Sequence, residues 1–268
     1  MYAFDFQRPT TLRQAASLLA KSDEAKLLAG GHSLIPVMKL RLASPKTIID
    51  LTQIKELSGI ELKGRTLVIG ATTKHREVAN SPIAQEAMPG LAAVPGSIGD
   101  PHVRNRGTIG GSIANNDPNA DYPAACLGLG ATIITNKRKI VADDFFLGMF
   151  ETALEPDEII TKVSFPVVKK CGYEKFKHPA SGFALVGVFV SKRGSEVRVA
   201  VTGAGSNGVF RVPEFEEALS KRFAPKSLEG LSVSPDGMNS DIHASAEYRA
   251  HLVGVIARRA VAKAMANG

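Results

Sequence analysis

The pattern of apolar and polar positions over the first fifty residues predicts alternating strands and helices. Apolar residues recur at helical spacing over Leu12–Leu19, behind Thr10 and Thr11, either of which can cap a helix. The apolar stretches Lys26–Ala29 and Thr47–Asp50 have the length of short strands. Together these segments predict a β-α-β unit at the start of the chain.

From about residue 57 the pattern changes to short strands separated by glycine turns. Strands are predicted over Thr66–Ala71, Ala131–Ile134 and Ile159–Val163. The segment Glu77–Met88 has a helical pattern, although a proline stands near its start. The segment Pro95–Asp121 is rich in Gly, Asn, Asp and Pro, so we expect a long, specialised loop set there and no regular structure.

In the last third of the chain, two apolar stretches precede two helical ones. Phe183–Val190 and Val197–Thr202 predict a hairpin around the turn Arg193–Ser195. Helices are predicted over Pro213–Arg222 and Glu247–Met265, with a polar connection between them.

Bulk composition limits the possible functions without choosing one. The 268 residues include 44% hydrophobic and 22% charged residues, as in an ordinary globular protein with a sizeable core. The formal net charge is +7, yet the basic residues are scattered, and there is no Trp and only four Tyr to stack on bases. We therefore expect no nucleic-acid binding. A mildly basic surface equally suits an anionic dinucleotide or an acidic partner subunit.

Cysteine usage and hydropathy exclude further classes. Cys126 and Cys171 are too few for a disulfide framework, or for an iron–sulfur cluster held by this chain alone. The longest apolar run, Ala124–Thr135, is interrupted by glycine and is too short to span a membrane. The first residues lack the basic-then-apolar layout of a signal peptide, so we expect a cytoplasmic protein without a membrane span.

The first candidate for chemistry is the glycine pair Gly30-Gly31, between the predicted strand Lys26–Ala29 and a helical pattern over Leu34–Leu42. A strand that turns through glycine into a helix presents backbone N–H groups to an anion, and glycine lets a phosphate approach the backbone. A plain strand-to-helix turn has the same sequence pattern. On its own, the pattern leaves both interpretations open.

A second glycine pair, Gly110-Gly111, lies in the polar stretch Thr108–Asn116. Short hydroxyl donors beside exposed amides suit a diphosphate, whereas a tight structural turn needs the glycines but not the polar neighbours. Two separate loops of this kind indicate one ligand with an extended phosphate chain. A dinucleotide fits that description better than a mononucleotide does.

The segment Gly203–Gly208 is a literal GxGxxG, the motif of NAD-binding folds. Its context does not fit, because Pro213 stands where the phosphate-binding helix should already be running. No second βαβ strand ending in an acidic residue follows. We interpret the segment as a turn, and NAD binding there ranks last among the hypotheses.

No metal site or catalytic constellation stands out. Asp117, Asn119 and Asp121 begin like a calcium loop, but Tyr122 and Gly128 stand where that loop needs glycine and glutamate. The six histidines show no metal-ligand spacing, and no Ser/His/Asp or Cys/His arrangement rises above background. We therefore assign no metal and no catalytic residue to this chain.

Taken together, the two glycine loops resemble those of the FAD-binding subunits of molybdenum hydroxylases, the family of aerobic carbon monoxide dehydrogenases and xanthine dehydrogenases. The stretch Ala29–Asp50 is similar to the first FAD-binding stretch of this family, and Arg104–Pro123 is similar to the second. Glu158–Pro166 and Tyr173–Lys177 resemble its closing strand and loop. The likeness runs over nearly the whole chain.

The resemblance implies an α+β fold. Its first part is a two-subdomain FAD-binding fold of the vanillyl-alcohol-oxidase (PCMH) type, and its second part is a small C-terminal α/β domain. We place the FAD-binding domain at residues 1–171, with subdomains of about 1–55 and 56–171. The C-terminal domain then covers residues 172–268.

The resemblance also implies a set of FAD-binding residues. Backbone amides of the two glycine loops would hold the diphosphate. Ile98 and Ile160 would line the flavin or adenine pocket, and Asp121 and Lys177 would make polar contacts to the cofactor. The full expected set is Ala29, Gly30, Gly31, His32, Ser33, Leu34, Ile98, Thr108, Ile109, Gly110, Gly111, Ser112, Asn115, Asp121, Ile160 and Lys177. No position matches the histidine that binds FAD covalently in some relatives of this fold, so we expect non-covalent FAD.

The function that the resemblance implies is an electron relay. A molybdopterin-binding large subunit would oxidise the substrate, and a small subunit with [2Fe–2S] clusters would pass the electrons to FAD on this chain. The implied assembly is a dimer of such heterotrimers, with an external electron acceptor. Two alternatives stay open: a stand-alone FAD-dependent oxidoreductase, and a scaffold subunit without flavin.

Overall fold

The β-α-β pattern at the start of the chain folds into a small parallel sheet. The structure, a computed structural model, describes all 268 residues. The first elements are β1 Asp5–Gln7, α1 Leu12–Leu19, β2 Ala25–Leu28, α2 Leu34–Lys39 and β3 Thr47–Asp50. The strand order is β1-β3-β2, and both pairs are parallel. The strands and helix α1 that were predicted here are confirmed.

Individual residues determine where the two predicted helices, α1 and α2, begin or end. Thr11 caps α1, because its side chain accepts a hydrogen bond from the backbone N–H of Gln14. Helix α2 stops at Lys39, three residues before the predicted end at Leu42. The reason is Arg41, whose φ of 61° lies in the left-handed region, which a right-handed helix does not enter.

The middle of the chain folds into an antiparallel sheet and a series of short helices. The sheet has the order β4-β5-β10-β6-β7. Its strands are β4 Ile60–Lys63, β5 Thr66–Gly70, β6 Thr132–Thr135, β7 Lys139–Val141 and β10 Ile160–Pro166. A small hairpin pairs β8 Phe146–Gly148 with β9 Glu151–Thr152. The helices are α3 His75–Ala79, α4 Pro82–Ala87, α5 Pro89–Gly96, α6 Pro101–Arg106, α7 Ile109–Asn115, α8 Asp121–Leu129 and α9 Ala142–Phe145.

The expectation of a segment without regular structure over Pro95–Asp121 is wrong, since α6 and α7 occupy about half of it. Both helices begin with residues that are also typical of loops. Asp100 accepts hydrogen bonds from two backbone N–H groups at the start of α6, and Thr108 accepts one at the start of α7. Short helices consist largely of their own ends, so their composition resembles that of a loop. The predicted helix Glu77–Met88 is likewise divided into α3 and α4.

The C-terminal part contains a four-stranded sheet with the order β11-β12-β13-β14. Its elements are β11 Lys170–Lys177, β12 Ala184–Arg193, β13 Glu196–Thr202, β14 Phe210–Arg211, α10 Pro213–Lys221 and α11 Ala246–Ala266. The predicted hairpin and both predicted helices are confirmed. No helix of the structure combines the length and the apolar character needed to cross a membrane.

The C-terminal sheet is buried on both faces, which fixes it against the middle subdomain. On β12, Phe189 belongs to the core of the middle subdomain, whereas Val188 and Val190 belong to a second core that includes α10 and α11. Successive side chains of a strand point to opposite faces, so one strand contributes to both cores. As a result, β11 and the loop that follows it reach the junction of the three parts.

Candidate functional site

A cavity of about 800 Å³ lies where the three parts of the chain meet. This volume is within the range of about 300–1,000 Å³ that is usual for small-molecule and cofactor sites. The first subdomain contributes Ala29–Leu34, the middle subdomain contributes both ends of α7, and the C-terminal part contributes Lys175 and Ser181–Phe183. The expected cofactor-binding residues that line it are Ala29, Gly30, Gly31, His32, Ser33, Leu34, Ile98, Thr108, Gly110, Gly111, Ser112, Asn115, Asp121 and Ile160.

The first glycine loop offers a run of unpaired backbone N–H groups to this cavity. None of the amides from Ala29 to Leu34 donates a hydrogen bond to the protein. Gly31 has a φ of +77°, which turns the chain from β2 into α2. Consecutive free N–H groups between a strand and a helix form a concave site for an anion. This loop therefore has the chemistry expected for a diphosphate site.

The second loop differs, because its amides are already used within the protein. The N–H of Ile109 donates to the Thr73 carbonyl at 3.2 Å, and that of Gly110 donates to the Ala71 carbonyl at 2.8 Å. The N–H of Gly111 donates to the Thr108 hydroxyl oxygen at 3.1 Å. The expected amide contacts are therefore missing in this arrangement. The groups that the loop leaves for a ligand are hydroxyls, foremost that of Ser112.

Two of the loop glycines are required by contacts between protein segments. A Cβ on Gly30 would lie 2.4 Å from the carbonyl oxygen of Arg106, and a Cβ on Gly110 would lie 2.7 Å from that of Ala71. Packing within the protein therefore requires both glycines, and their role in the approach of a phosphate stays a prediction. Gly111 is different, since a Cβ there would meet only the Thr108 hydroxyl, at 3.0 Å. Its side-chain position otherwise opens toward the cavity that it lines.

Ile109 and Lys177 do not line the cavity. The Ile109 side chain is fully buried in the core of the middle subdomain. Lys177 is exposed, because the pairing of β11 with β12 is irregular between Phe176 and Lys177, which breaks the two-residue alternation. Lys175, two residues earlier, is buried and lines the cavity. The sequence analysis missed it, although strand alternation places it on the same face as Tyr173.

Lys175 belongs to a buried polar cluster around Asp121, at the start of α8. Its ammonium nitrogen lies 2.9 and 3.0 Å from the two carboxylate oxygens of Asp121. The Tyr173 hydroxyl donates a further hydrogen bond to the same carboxylate. Burial raises the pKa of Asp121, and the charge of Lys175 acts in the opposite direction. Asp121 and Lys175 therefore give the cavity wall polar groups that a ligand can contact.

The cavity lining has one apolar and one polar group of residues. The apolar group belongs to the contact between the first subdomain and β10 and consists of Leu19, Ala25, Leu51, Leu154, Ile159 and Ile160. The polar group comprises Asp121, Lys175 and the turn Ser181–Phe183. This turn touches the loop after α5, where a Cβ on Gly99 would lie 3.1 Å from the Cα of Gly182. A ligand with both apolar and polar portions fits such a lining.

The GxGxxG segment does not form a nucleotide site. Gly203 follows the end of β13, and the chain continues into β14, which pairs antiparallel with β13. No helix begins at Gly205 or Gly208, so there is no helix N-terminus to hold a phosphate. The interpretation of this segment as a turn is confirmed.

Comparisons with known proteins point to one family. Residues 2–168 match the family model described as "FAD binding domain in molybdopterin dehydrogenase". The chain is 36% identical to the carbon monoxide dehydrogenase medium chain of Hydrogenophaga pseudoflava, with 98% of each chain covered. It is also 36% identical to the nicotine 6-hydroxylase medium subunit of Paenarthrobacter nicotinovorans, with 99% of this chain and 98% of the relative covered. Among solved structures, quinoline 2-oxidoreductase from Pseudomonas putida 86 superimposes with a TM-score of 0.88 at 27% identity, over 99% of this chain and 98% of the other.

Proposed function

The chain belongs to the family of FAD-binding domains in molybdopterin dehydrogenases, and on that premise we propose that it relays electrons from the [2Fe–2S] clusters of a partner subunit through FAD to an external acceptor. Its cofactor is FAD, and it is the flavin subunit of a molybdenum-containing oxidoreductase. The observation that carries the site assignment is the run of unpaired amides from Ala29 to Leu34 on the cavity wall. A diphosphate needs such donors.

The lining residues of the two loops form the proposed diphosphate site. The first loop donates backbone N–H groups, while Thr108 and Ser112 of the second loop contribute hydroxyls. Asn115, Ile98 and Ile160 complete the proposed contacts along the cavity. Burial raises the pKa of Asp121, and Lys177 enters the proposal only through its positive charge, which opposes that rise from the surface.

The polar cluster is the proposed place for the isoalloxazine ring. The edge of this ring carries nitrogen and oxygen atoms, for which Lys175 and Asp121 offer a donor and an acceptor. The apolar group around Ile160 is then left for the adenine ring. Gly182 and Phe183, in the exposed turn between β11 and β12, also line the cavity. We propose that the isoalloxazine ring faces this turn. Electrons would enter or leave on that side.

The residues of this chain bind and orient, and the flavin supplies the chemistry of accepting and releasing electrons singly or in pairs. A relay needs no general acid or base, so the lack of a catalytic triad in the sequence agrees with the proposal. Substrate oxidation belongs to the molybdopterin-binding large subunit, which would also choose the substrate. The proposed assembly is a dimer of heterotrimers in the cytoplasm, where the two free cysteines stay reduced.

A visible spectrum tests this function. The full chain is purified alone, and then with its co-purifying subunits. Flavin bands that are released by acid denaturation support non-covalent FAD, and their bleaching when substrate is added to the complex supports the relay. If the lone chain turns over a donor with oxygen, the stand-alone oxidoreductase is the better function. If the chain stays colourless after incubation with FAD, only a flavin-free scaffold remains.

A further inference from the structure

One buried histidine in the cavity wall has no polar partner. His75 begins α3 and is 4% exposed. It lines the cavity, and neither of its ring nitrogens makes a hydrogen bond within the protein. Nδ1 is completely buried, as is the unpaired hydroxyl of the neighbouring Tyr122, so Nε2 is the nitrogen that can face a ligand in the cavity. Buried polar groups nearly always have a hydrogen-bond partner, and an exception calls for a ligand or another explanation.

The position of His75 is the junction of the two glycine loops. A Cβ on Gly30 would lie 2.7 Å from the Cα of Gly107, and a Cβ on Gly107 would lie 2.6 Å from Nε2 of His75. The backbone N–H of His75 donates to the Gly107 carbonyl at 2.9 Å, directly before Thr108. The first loop, Gly107 and the imidazole are therefore in successive contact. Only the absence of side chains at both glycines makes room for this arrangement.

The imidazole is neutral at pH 7. Burial, with a smaller contribution from His32 across the cavity, lowers the pKa of His75 to about 4. A neutral imidazole has one N–H donor and one acceptor nitrogen. Burial also raises the pKa of Tyr122, whose ring lies 5.3 Å from that of His75, so this neighbour is neutral as well. The other titratable or charged groups on its own helix and on the packed segments are Lys74, Arg76, Glu77, Glu86, Asp100, His102, Arg104, Arg106, Asp121 and Cys126.

We propose that His75 is an FAD-binding residue that donates a hydrogen bond from Nε2 to the diphosphate at the junction of the two loops. This inference rests on the proposed diphosphate site. An anion beside an imidazole stabilises its protonated form. FAD binding therefore promotes proton uptake by His75, and the affinity for FAD increases as the pH falls toward the pKa of about 4 that His75 has in the apoprotein.

Titration of the full-length apoprotein with FAD between pH 4.5 and pH 8 tests the proposal, with the dissociation constant taken from fluorescence quenching. His75→Phe keeps the ring against Tyr122 but removes the donor, and we expect binding weakened by roughly tenfold at pH 7. His75→Gln keeps an N–H donor that does not titrate. We expect it to bind FAD nearly as tightly as the wild type at pH 7, but without the increase in affinity at low pH.

The same titration separates this inference from the function. A wild-type chain that takes up no FAD contradicts the FAD site itself. A wild type that binds FAD with the same affinity and the same pH profile as His75→Phe overturns the role of His75 alone. His32→Gln is the matched comparison. If the pH dependence disappears in His32→Gln and persists in both His75 variants, the titrating group is His32 of the first loop, and the inference fails. If His75→Phe does not fold, the pH profile of His75→Gln decides.

Discussion

At the scale of single residues, the glycines of the two loops serve different purposes. Gly30 and Gly110 are in contact with protein backbone, where a Cβ does not fit. Gly31 has a positive φ, so a bulky residue there adds backbone strain as well as volume. Gly111 has neither constraint, and its side-chain position faces the cavity. Replacement of Gly111 therefore probes ligand space most directly.

We predict that Gly111→Leu lowers FAD occupancy by more than about tenfold, because each 1.4 kcal/mol of lost binding free energy is a factor of ten and a leucine occupies the diphosphate space. Bound flavin per chain after gel filtration measures the effect. Gly96→Leu is the matched control, since a Cβ on that helical glycine meets only the Ala79 Cβ, at 3.8 Å. Full flavin content in Gly111→Leu contradicts the assignment of the second loop to the cofactor.

His75 also makes the stability of the apoprotein depend on pH. The pKa of His75 is about 4 in the folded chain, against 6.5 for an ordinary histidine. Between these values the unfolded chain binds more protons, so stability is complete above pH 6.5 and is lost as the pH falls toward 4. The shift corresponds to about 3 kcal/mol. We predict that the difference in unfolding free energy between wild type and His75→Phe changes by this order over that window.

Urea unfolding of both apoproteins at several pH values between 4 and 7.5 measures this difference. Subtraction of the two curves removes the contribution of the acidic residues, which both proteins share. Parallel curves would show that folding does not lower the pKa of His75, so the imidazole would not be buried in its neutral form. The expected hydrogen bond from His75 to the diphosphate would then lose its support.

At the scale of elements, the contact between β11 and α8 joins the C-terminal part to the cofactor site. The buried pair of Lys175 and Asp121 lies in this contact, with side-chain exposures of 2% and 5%. Removal of one member of such a pair leaves the other charge buried and uncompensated. Lys177, on the same strand, is exposed and lacks this constraint.

We predict that Lys175→Met destabilises the protein by about 3–5 kcal/mol, the usual cost of an unpaired buried charge. The double variant Lys175→Met, Asp121→Asn should recover most of that stability, because no charge remains unpaired, but it should bind FAD more weakly than the wild type. Thermal unfolding and flavin titration measure the two effects. Lys177→Met is the control and should change stability by less than about 0.5 kcal/mol. An equal loss of stability in Lys175→Met and Lys177→Met contradicts the prediction that only Lys175 forms a buried charge pair.

At the scale of the whole molecule, the three parts share one cavity, so the cofactor connects them. Tyr173 and Phe189 of the C-terminal sheet lie in the same core as the middle subdomain. Ile159 connects the middle subdomain to the core of the first one. A ligand that contacts all three parts stabilises them together, since it binds only the folded assembly of parts.

We predict that FAD at about 100 times its dissociation constant stabilises the chain by about 2.7 kcal/mol. The whole unfolding transition should move to higher temperature, because every part contributes to the cavity. Differential scanning calorimetry with and without FAD measures this shift. A transition that splits in two, with only one half shifted by FAD, contradicts a cavity shared by all three parts.

The sequence by itself determined the parts of this protein that depend on local chemistry. Apolar periodicity identified α1, the β12–β13 hairpin and α11, because an element that buries one face repeats its apolar residues at its own period. The glycine loops, in their order, pointed to FAD, and the family comparison confirmed that cofactor. The GxGxxG segment was rejected from its context, since Pro213 is a local signal.

Only the tertiary structure decided which groups of the site are free and which are used. The amides of the second loop are occupied by carbonyls at Ala71 and Thr73, far away in sequence. The irregular pairing of β11 with β12 exposes Lys177 and leaves Lys175 inside. His75 carries no sequence signal, because its importance lies in burial without a partner. Hydrogen-bond partners and burial depend on segments distant along the chain, so folding alone assigns them.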